Sequence, residues 1–182
     1  MLARSAKERN RLTGGVVGTL MSNMGLELAL AELGIPFARS NVGDRYVVEM
    51  LAQKNWRIGG ENSGHVLNLD HAGTGDGIIA ALQVLLAVTT MGEPLHRLKK
   101  AMTKLPQVMI NVHMSKRVDL SSNTTIQSAV KHTEDKLAGT GRVLLRPSGT
   151  EPVVRVMVEG EDKNQVKELA QELAATVEAA LN

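Results

Sequence analysis

Two arginines near the end of the 182-residue chain, Arg146 and Arg155, flank a short polar turn. A guanidinium can donate two parallel, charge-assisted hydrogen bonds to phosphate oxygens. Within the turn, Ser148 and Thr150 add hydroxyl donors, and Gly149 allows successive backbone N–H groups to turn toward one anion. The pattern therefore predicts a loop that binds a phosphate monoester.

Two alternatives remain open for this segment. An ordinary hairpin turn with solvated arginines has a similar composition, and short motifs of this kind also occur by chance. Arg155 could instead form an ion pair with Glu151 or Glu159, which lie close to it in the sequence. The sequence does not decide between these arrangements.

A second polar loop, residues 59–65, lies between two short strand-like runs and contains three glycines. Glu61, Asn62, Ser63 and His65 supply acceptors and donors that suit the hydroxyl groups of a sugar. His65 follows a glycine turn, so it could equally satisfy local backbone groups. The loop is predicted to contact a sugar.

Taken together, Gly-Glu-Asn-Ser-Gly-His and Arg-Pro-Ser-Gly-Thr-Glu-Pro resemble the α-D-phosphohexomutase family. Further matches occupy residues 19–26, 42–46 and 74–78, so five motifs occur in the family's order. The resemblance weakens only between residues 112 and 141. The Glu-Asn-Ser form of the sugar loop is most similar to the bacterial phosphoglucosamine mutase branch.

The resemblance implies an isomerase that interconverts glucosamine 6-phosphate and glucosamine 1-phosphate, a step toward amino-sugar nucleotides and peptidoglycan precursors. Its partner would be a phosphorylated hexosamine. The arginine loop would hold the phosphate, Glu61 and Ser63 would contact sugar hydroxyls, and Asp44 would lie in a loop that faces the cleft. Two other interpretations stay open, namely a non-catalytic phosphosugar-binding module and part of a phosphomannomutase or phosphoglucomutase.

The family has four domains, and the resemblance covers only the third and fourth. The phosphoserine and the Mg²⁺-binding aspartates belong to the first two domains, and neither motif occurs here. Asp76 precedes an apolar helical run, which favours a helix cap over a metal ligand. We therefore expect a fragment that lacks its N-terminal domains, has no catalytic residue, binds no metal or cofactor and is inactive alone.

Composition limits the other classes of function. The chain is 43% hydrophobic, carries a net charge of +2 and has no cysteine, so disulfides and thiolate metal sites are excluded. No apolar run approaches the roughly 20 residues of a membrane helix. The basic residues are dispersed, so we expect neither a nucleic-acid partner nor a membrane. We expect a cytoplasmic location.

The elements predict two domains of different class. Repeated strand–helix units in residues 1–104 favour an α/β domain with a mixed sheet, which would determine substrate specificity. The order β-α-β-β-α in residues 105–182 favours a small α+β domain with a mostly antiparallel sheet, which would bind the phosphate. Within the first domain, Asp44 is expected to cap a helix whose Tyr46 faces inward. Residues 5–10 are expected to be a polar stretch, and residues 94–103 a short helix.

Overall fold

A computed structural model describes residues 1–114, 119–149 and 151–181 of the chain. These residues form two compact units, Met1–Thr103 and Lys104–Asn182. Thr150, one of the predicted phosphate ligands, lies outside the described residues. Among the described residues, no helix combines the length and the apolar character that crossing a membrane requires.

The first unit is an α/β domain with a four-stranded sheet in the order β2-β1-β3-β4. Its elements are α1 (Leu2–Glu8), β1 (Val16–Thr19), α2 (Met24–Glu32), β2 (Phe37–Ser40), α3 (Asp44–Lys54), β3 (Ile58–Gly60), β4 (Val66–Asn68), α4 (Gly77–Met91) and α5 (Leu95–Leu98). β1 pairs in parallel with both β2 and β3, whereas β4 runs antiparallel to β3. The predicted mixed sheet is confirmed.

Because β1, β2 and β3 are parallel, their carboxyl ends meet at one edge of the sheet. The segments that leave this edge are residues 20–23, 41–43 and 61–65. Open α/β sheets place their ligand sites at the carboxyl ends of the strands. The predicted sugar loop is therefore at the edge where such a site is expected.

Helices cover both faces of this sheet, because successive side chains of a strand point to opposite sides. Val17 packs with Val47 and Leu51 of α3, whereas its neighbour Val16 packs with Leu30 of α2 and Ala6 of α1. Val17, Val47 and Leu51 are fully buried. The two apolar clusters hold the strands, and with them the three loops, in fixed relative positions.

The helix that follows β2 differs from the prediction at its first turn. Its N-cap is Gly43, and no side chain caps it. The Asp44 carboxylate accepts a hydrogen bond from the N–H of the next residue, Arg45, at 2.7 Å. Tyr46 is 43% exposed, so its predicted inward position is wrong. By contrast, Asp76 caps α4 as predicted, accepting from the N–H groups of Ile78 and Ile79.

Two further elements were predicted wrongly. Residues 2–8 form helix α1, whereas the sequence predicted only a polar stretch at residues 5–10 and no helix. Its buried residues are all small (Ala3, Ser5 and Ala6), so the buried side of the helix carries no strong apolar signal. The predicted helix at residues 94–103 is limited to Leu95–Leu98.

The second unit is an α+β domain with a three-stranded antiparallel sheet in the order β5-β7-β6. Its elements are β5 (Gln107–His113), α6 (Thr124–Leu137), β6 (Gly141–Pro147), β7 (Val153–Gly160) and α7 (Lys163–Leu181). Val154, Val156 and Val158 of β7 pack in one core with Leu169 and Leu173 of α7. This confirms the predicted antiparallel sheet. The alternate residues of β7, including Arg155, face away from that core.

Candidate functional site

The two arginines of the predicted phosphate loop face each other across the second sheet. Arg146 of β6 and Arg155 of β7 are directly paired in the antiparallel register. Directly opposed residues share a face of the sheet, with their Cβ atoms about 4.5–5.5 Å apart. Asn111 of β5 pairs with Arg155 from the other side, so the three form one row across the sheet.

Both guanidinium groups are incompletely satisfied. The Nε atoms of Arg146 and Arg155 are buried and have no hydrogen-bond partner among residues 1–114, 119–149 and 151–181. Arg155 does form an ion pair through Nη2 with Glu151, at 3.2 Å. This is one of the two pairings that the sequence left open. The other acid, Glu159, pairs instead with Arg142 at 2.7 Å.

This arrangement favours an anion on the face that carries the two arginines. Like charges placed directly opposite each other destabilise a sheet. A buried polar group without a hydrogen bond costs about 1–3 kcal/mol. A phosphate between the guanidiniums would reduce the repulsion and accept hydrogen bonds from the unsatisfied Nε groups.

The turn between β6 and β7 is closed by its own hydrogen bonds. The Ser148 N–H donates to the Val153 carbonyl at 2.8 Å, and the Ser148 hydroxyl accepts from the Glu151 N–H at 3.3 Å. Ser148 is 7% exposed, and accepting this bond leaves its own proton available for a ligand. Gly149 does not adopt a positive φ, and a Cβ there would meet no described atom within 4 Å. At Gly149 the turn is therefore open, with space for a ligand.

The predicted sugar loop is fastened to the loop that precedes α3. Glu61 Oε1 accepts from the Gly43 N–H at 2.6 Å, and Oε2 accepts from the Ser63 hydroxyl at 3.3 Å. Gly43 has φ 130° and ψ 132°, a conformation that residues with a side chain rarely adopt. The Glu61 carboxylate is thus held in place, and each of its oxygens retains a lone pair for a further donor.

The next residue of the loop points back to the protein. The Asn62 amide donates to the Met21 carbonyl at 2.6 Å, which ties residues 61–65 to the loop after β1. This contact occupies a donor that was predicted for the sugar. His65 lies beside the 72–76 loop, because its Cδ2 is 3.1 Å from the position that a Cβ would take at Gly75. The His65 carbonyl accepts from the Glu61 N–H at 3.0 Å.

The residues at the start of α3 are engaged with their own helix. Beside Asp44, the Arg45 guanidinium donates to Glu49 at 2.8 Å. This hydrogen bond raises the pKa of Arg45 above its usual value, so the side chain remains cationic. Arg45 is 81% exposed and therefore accessible to an anionic ligand.

A cavity of about 230 Å³ adjoins the sugar loop. Glu61, Asn62 and His65 line it together with Ser22, a residue of the loop after β1. Residues 19–26 form one of the five family motifs, but the sequence analysis predicted no role for Ser22. The Ser22 hydroxyl accepts from the Thr19 N–H at 2.9 Å, which supports the end of β1.

The described residues do not offer a metal site. Among them, no cluster of three or more His, Cys, Asp or Glu side chains could hold a metal ion.

Family comparisons match both units. The model of phosphoglucomutase/phosphomannomutase alpha/beta/alpha domain III matches residues 1–105, and that of the phosphoglucomutase/phosphomannomutase C-terminal domain matches residues 109–176. A phosphoglucosamine mutase of Cellvibrio japonicus is 73% identical over 168 residues, which are 92% of this chain and 38% of that protein. A phosphoglucosamine mutase of Hahella chejuensis is 58% identical, over 100% of this chain and 41% of the relative. The chain thus spans about 40% of the length of these relatives.

A solved structure supports the fold. Aspergillus fumigatus N-acetylphosphoglucosamine mutase, in complex with GlcNAc-6P and magnesium, matches with a TM-score of 0.79 at 22% identity. The match covers 100% of this chain and 41% of that protein. At this identity the likeness concerns the fold alone.

Proposed function

This chain belongs to the phosphoglucomutase/phosphomannomutase family, and we propose that it provides the sugar- and phosphate-binding part of a phosphoglucosamine mutase. The substrate would be glucosamine 6-phosphate or glucosamine 1-phosphate. Residues 1–104 would bind the sugar and residues 105–182 the phosphate. The reaction would take place in the cytoplasm.

The observation that carries the proposal is the pair of opposed arginines. Arg146 and Arg155 occupy one row of a sheet, and their buried Nε atoms have no partner among the described residues. Such a pair suits a phosphate dianion, since each guanidinium can donate to two of its oxygens. Ser148 and Gly149 complete the anion site in this proposal, as does Thr150, for which the sequence alone argues.

The sugar loop would hold the hydroxyl groups of the ring. Glu61 is held by Gly43 and by Ser63, so the carboxylate would meet the sugar in a preorganised position. Asn62 would act mainly by fastening the loop to Met21. His65 and Asp44 would stand at the border of the sugar site.

A mutase that transfers phosphate between the 1- and 6-positions binds its sugar in two orientations. One phosphate must be fixed while the opposite end of the sugar reacts, since positioning supplies much of the rate of phosphoryl transfer. The arginine loop would fix that phosphate, and the sugar loop would accept both orientations. The phosphoserine and the Mg²⁺ that the resemblance implies would come from the domains that this chain does not match.

Calorimetric titration of the isolated chain tests the proposal. We expect glucosamine 6-phosphate to bind more tightly than inorganic phosphate, and glucosamine without phosphate not to bind measurably. Tighter binding of mannose 6-phosphate or glucose 6-phosphate would favour a phosphomannomutase or phosphoglucomutase instead. We also expect no mutase activity from the chain alone, so robust turnover by a preparation free of host enzyme would contradict the assignment of roles.

A further inference from the structure

Strand β5 adds a third polar side chain to the row that holds the two arginines. Asn111 of β5 is paired with Arg155 in the antiparallel register, on the side of β7 opposite to Arg146. Its neighbours Ile110 and Val112 pack in or against the core of the unit. Asn111 therefore points to the other face of the sheet, which also carries the arginines. Directly opposed residues have their Cβ atoms about 4.5–5.5 Å apart, so Asn111 and Arg155 can contact the same small anion.

The stability of the sheet does not account for Asn111. Asparagine is depleted in strands, and its short polar side chain competes with the backbone for hydrogen bonds. The side chain is exposed, and its amide has no hydrogen-bond partner among residues 1–114, 119–149 and 151–181. An amide oxygen could accept from Arg155, but the two side chains form no such bond, and the buried Arg155 Nε has no partner in the same described ranges. Both groups are thus left available to a ligand.

The neighbouring rows separate this site from the other polar groups of the same face. On one side the next row is apolar and consists of Met109, Met157 and Leu144. On the other side the central residue is Val153, which is 4% exposed and is paired with His113. His113 is therefore only a diagonal neighbour of Arg155, at about 7–8 Å, whereas Asn111 lies directly beside it.

A neutral donor is what the arginine row requires. Part of the Arg155 guanidinium is already engaged, because Nη2 pairs with Glu151 at 3.2 Å. A third cation in the row would add to the repulsion between Arg146 and Arg155. An amide N–H adds a hydrogen bond to an anionic oxygen without adding charge, and bonds to ionised acceptors are the stronger kind.

We propose that Asn111 is a further phosphate-binding residue, whose amide Nδ2 donates a hydrogen bond to a phosphate oxygen held by Arg155. The identification of that phosphate as part of a hexosamine phosphate rests on the proposed function. β5 thereby contributes to a site that the sequence analysis placed only around the turn between β6 and β7.

Replacing Asn111 by leucine tests the proposal, because leucine is similar in size and cannot donate a hydrogen bond. Asn164→Leu is the matched control. Asn164 is also exposed, and it lies in the first turn of α7, the helix that packs on the core face of the sheet. The Kd for inorganic phosphate, measured by calorimetry, should rise roughly tenfold or more in Asn111→Leu. It should stay unchanged in Asn164→Leu, and both variants should keep the Tm of the wild type without phosphate.

The side-chain amide signals give a readout that a purely structural role would not move. In a proton–nitrogen correlation spectrum, the pair of signals that is missing from Asn111→Leu identifies this amide in the wild-type protein. The pair should shift saturably as phosphate is added, with the Kd found by calorimetry. The pair that is missing from Asn164→Leu should stay in place.

The outcomes separate this inference from the proposed function. Wild-type affinity in Asn111→Leu, or an Asn111 signal that stays in place while phosphate binds, would overturn the inference alone if Arg146→Met still loses affinity. Absence of phosphate binding by the wild-type chain would overturn both. Phosphate binding that depends on Asn111, without any preference for glucosamine 6-phosphate, would support the inference and refute the proposed substrate.

Discussion

Replacing Arg146 by methionine should weaken phosphate binding and at the same time stabilise the unliganded protein. The substitution removes one of two guanidiniums that face each other on β6 and β7. Methionine retains the apolar stem of the side chain, so the change concerns charge and hydrogen bonding more than packing. Loss of a charged hydrogen-bonded contact costs about 1.5–3 kcal/mol of binding, which is roughly a tenfold to hundredfold rise in Kd.

The opposite effect on stability follows from the buried Nε of Arg146, which has no partner among the described residues. An unsatisfied buried group costs about 1–3 kcal/mol, and the repulsion by Arg155 adds to this cost. Removing the guanidinium should therefore raise the free energy of unfolding by about 1 kcal/mol. For a domain of 60–100 residues this corresponds to a rise in Tm of about 4–8 °C.

Thermal unfolding with and without inorganic phosphate measures both effects. A ligand at 100 times its Kd stabilises the native state by about 2.7 kcal/mol. Wild-type protein should show a large rise in Tm with phosphate, Arg146→Met a rise of at most about half that size, and Arg146→Lys an intermediate one, because an ammonium keeps the charge but loses the planar fork. Phosphate also strengthens apolar burial in general, so a reference variant is needed.

Lys136→Met is that reference. Lys136 also lies in the second unit and pairs with Glu172 at 3.0 Å on the exposed surface, so its loss should change stability by less than about 1 kcal/mol. It removes the same single charge and should keep the full response to phosphate. The reasoning would be refuted if Arg146→Met lowered Tm without phosphate and retained the same phosphate response as Lys136→Met.

Three further predictions concern the first unit. Asp76→Ala should lower the free energy of unfolding, measured by chemical denaturation, by about 0.5–2 kcal/mol, because two N–H groups of α4 lose their acceptor. Asp44→Ala should lower it by less than about 0.5 kcal/mol. An equal loss at both positions would show that Asp44 caps α3 after all. Leu51→Ala should lower the free energy of unfolding by about 2–5 kcal/mol, since Leu51 of α3 is fully buried in the cluster with Val17 and Val47; a loss below 1 kcal/mol in the urea transition would mean that the cluster repacks. Glu61→Gln should weaken the binding of glucosamine 6-phosphate measured by calorimetry and leave inorganic phosphate binding unchanged; loss of both would show that the two loops do not divide the ligand between them.

Residue types and short-range patterns in the sequence were sufficient to predict most helices and strands and the two candidate binding loops. Short apolar runs indicated strands in both sheets, and Asp76 was recognised as a cap because capping depends on neighbours within a few residues. The fold class of each unit followed from the order of these elements. The family followed from five ordered motifs, and the arginine and glycine-rich loops were recognised as candidate sites from residue type alone.

The sequence did not predict the contacts between segments that are distant along the chain. Gly43 took the cap position of α3 because its N–H is held by Glu61, eighteen residues later, so Asp44 was displaced into the helix. α1 was missed because its buried residues are small, and they become core only where the sheet and α4 lie against them. Similarly, α4 could be recognised as apolar, but only the structure shows which of its sides is exposed.

The arginine pair shows most clearly which features the sequence determined and which only the tertiary structure determined. The sequence determined that two guanidiniums lie nine residues apart around a turn, which is enough to indicate an anion site. Whether they share a face depends on the register of β6 against β7, and a shift by one residue would send one of them into the core. The tertiary structure decided that register, because Val154, Val156 and Val158 must face the core beneath α7. Arg155 is thereby turned to the opposite face of the sheet, directly across from Arg146.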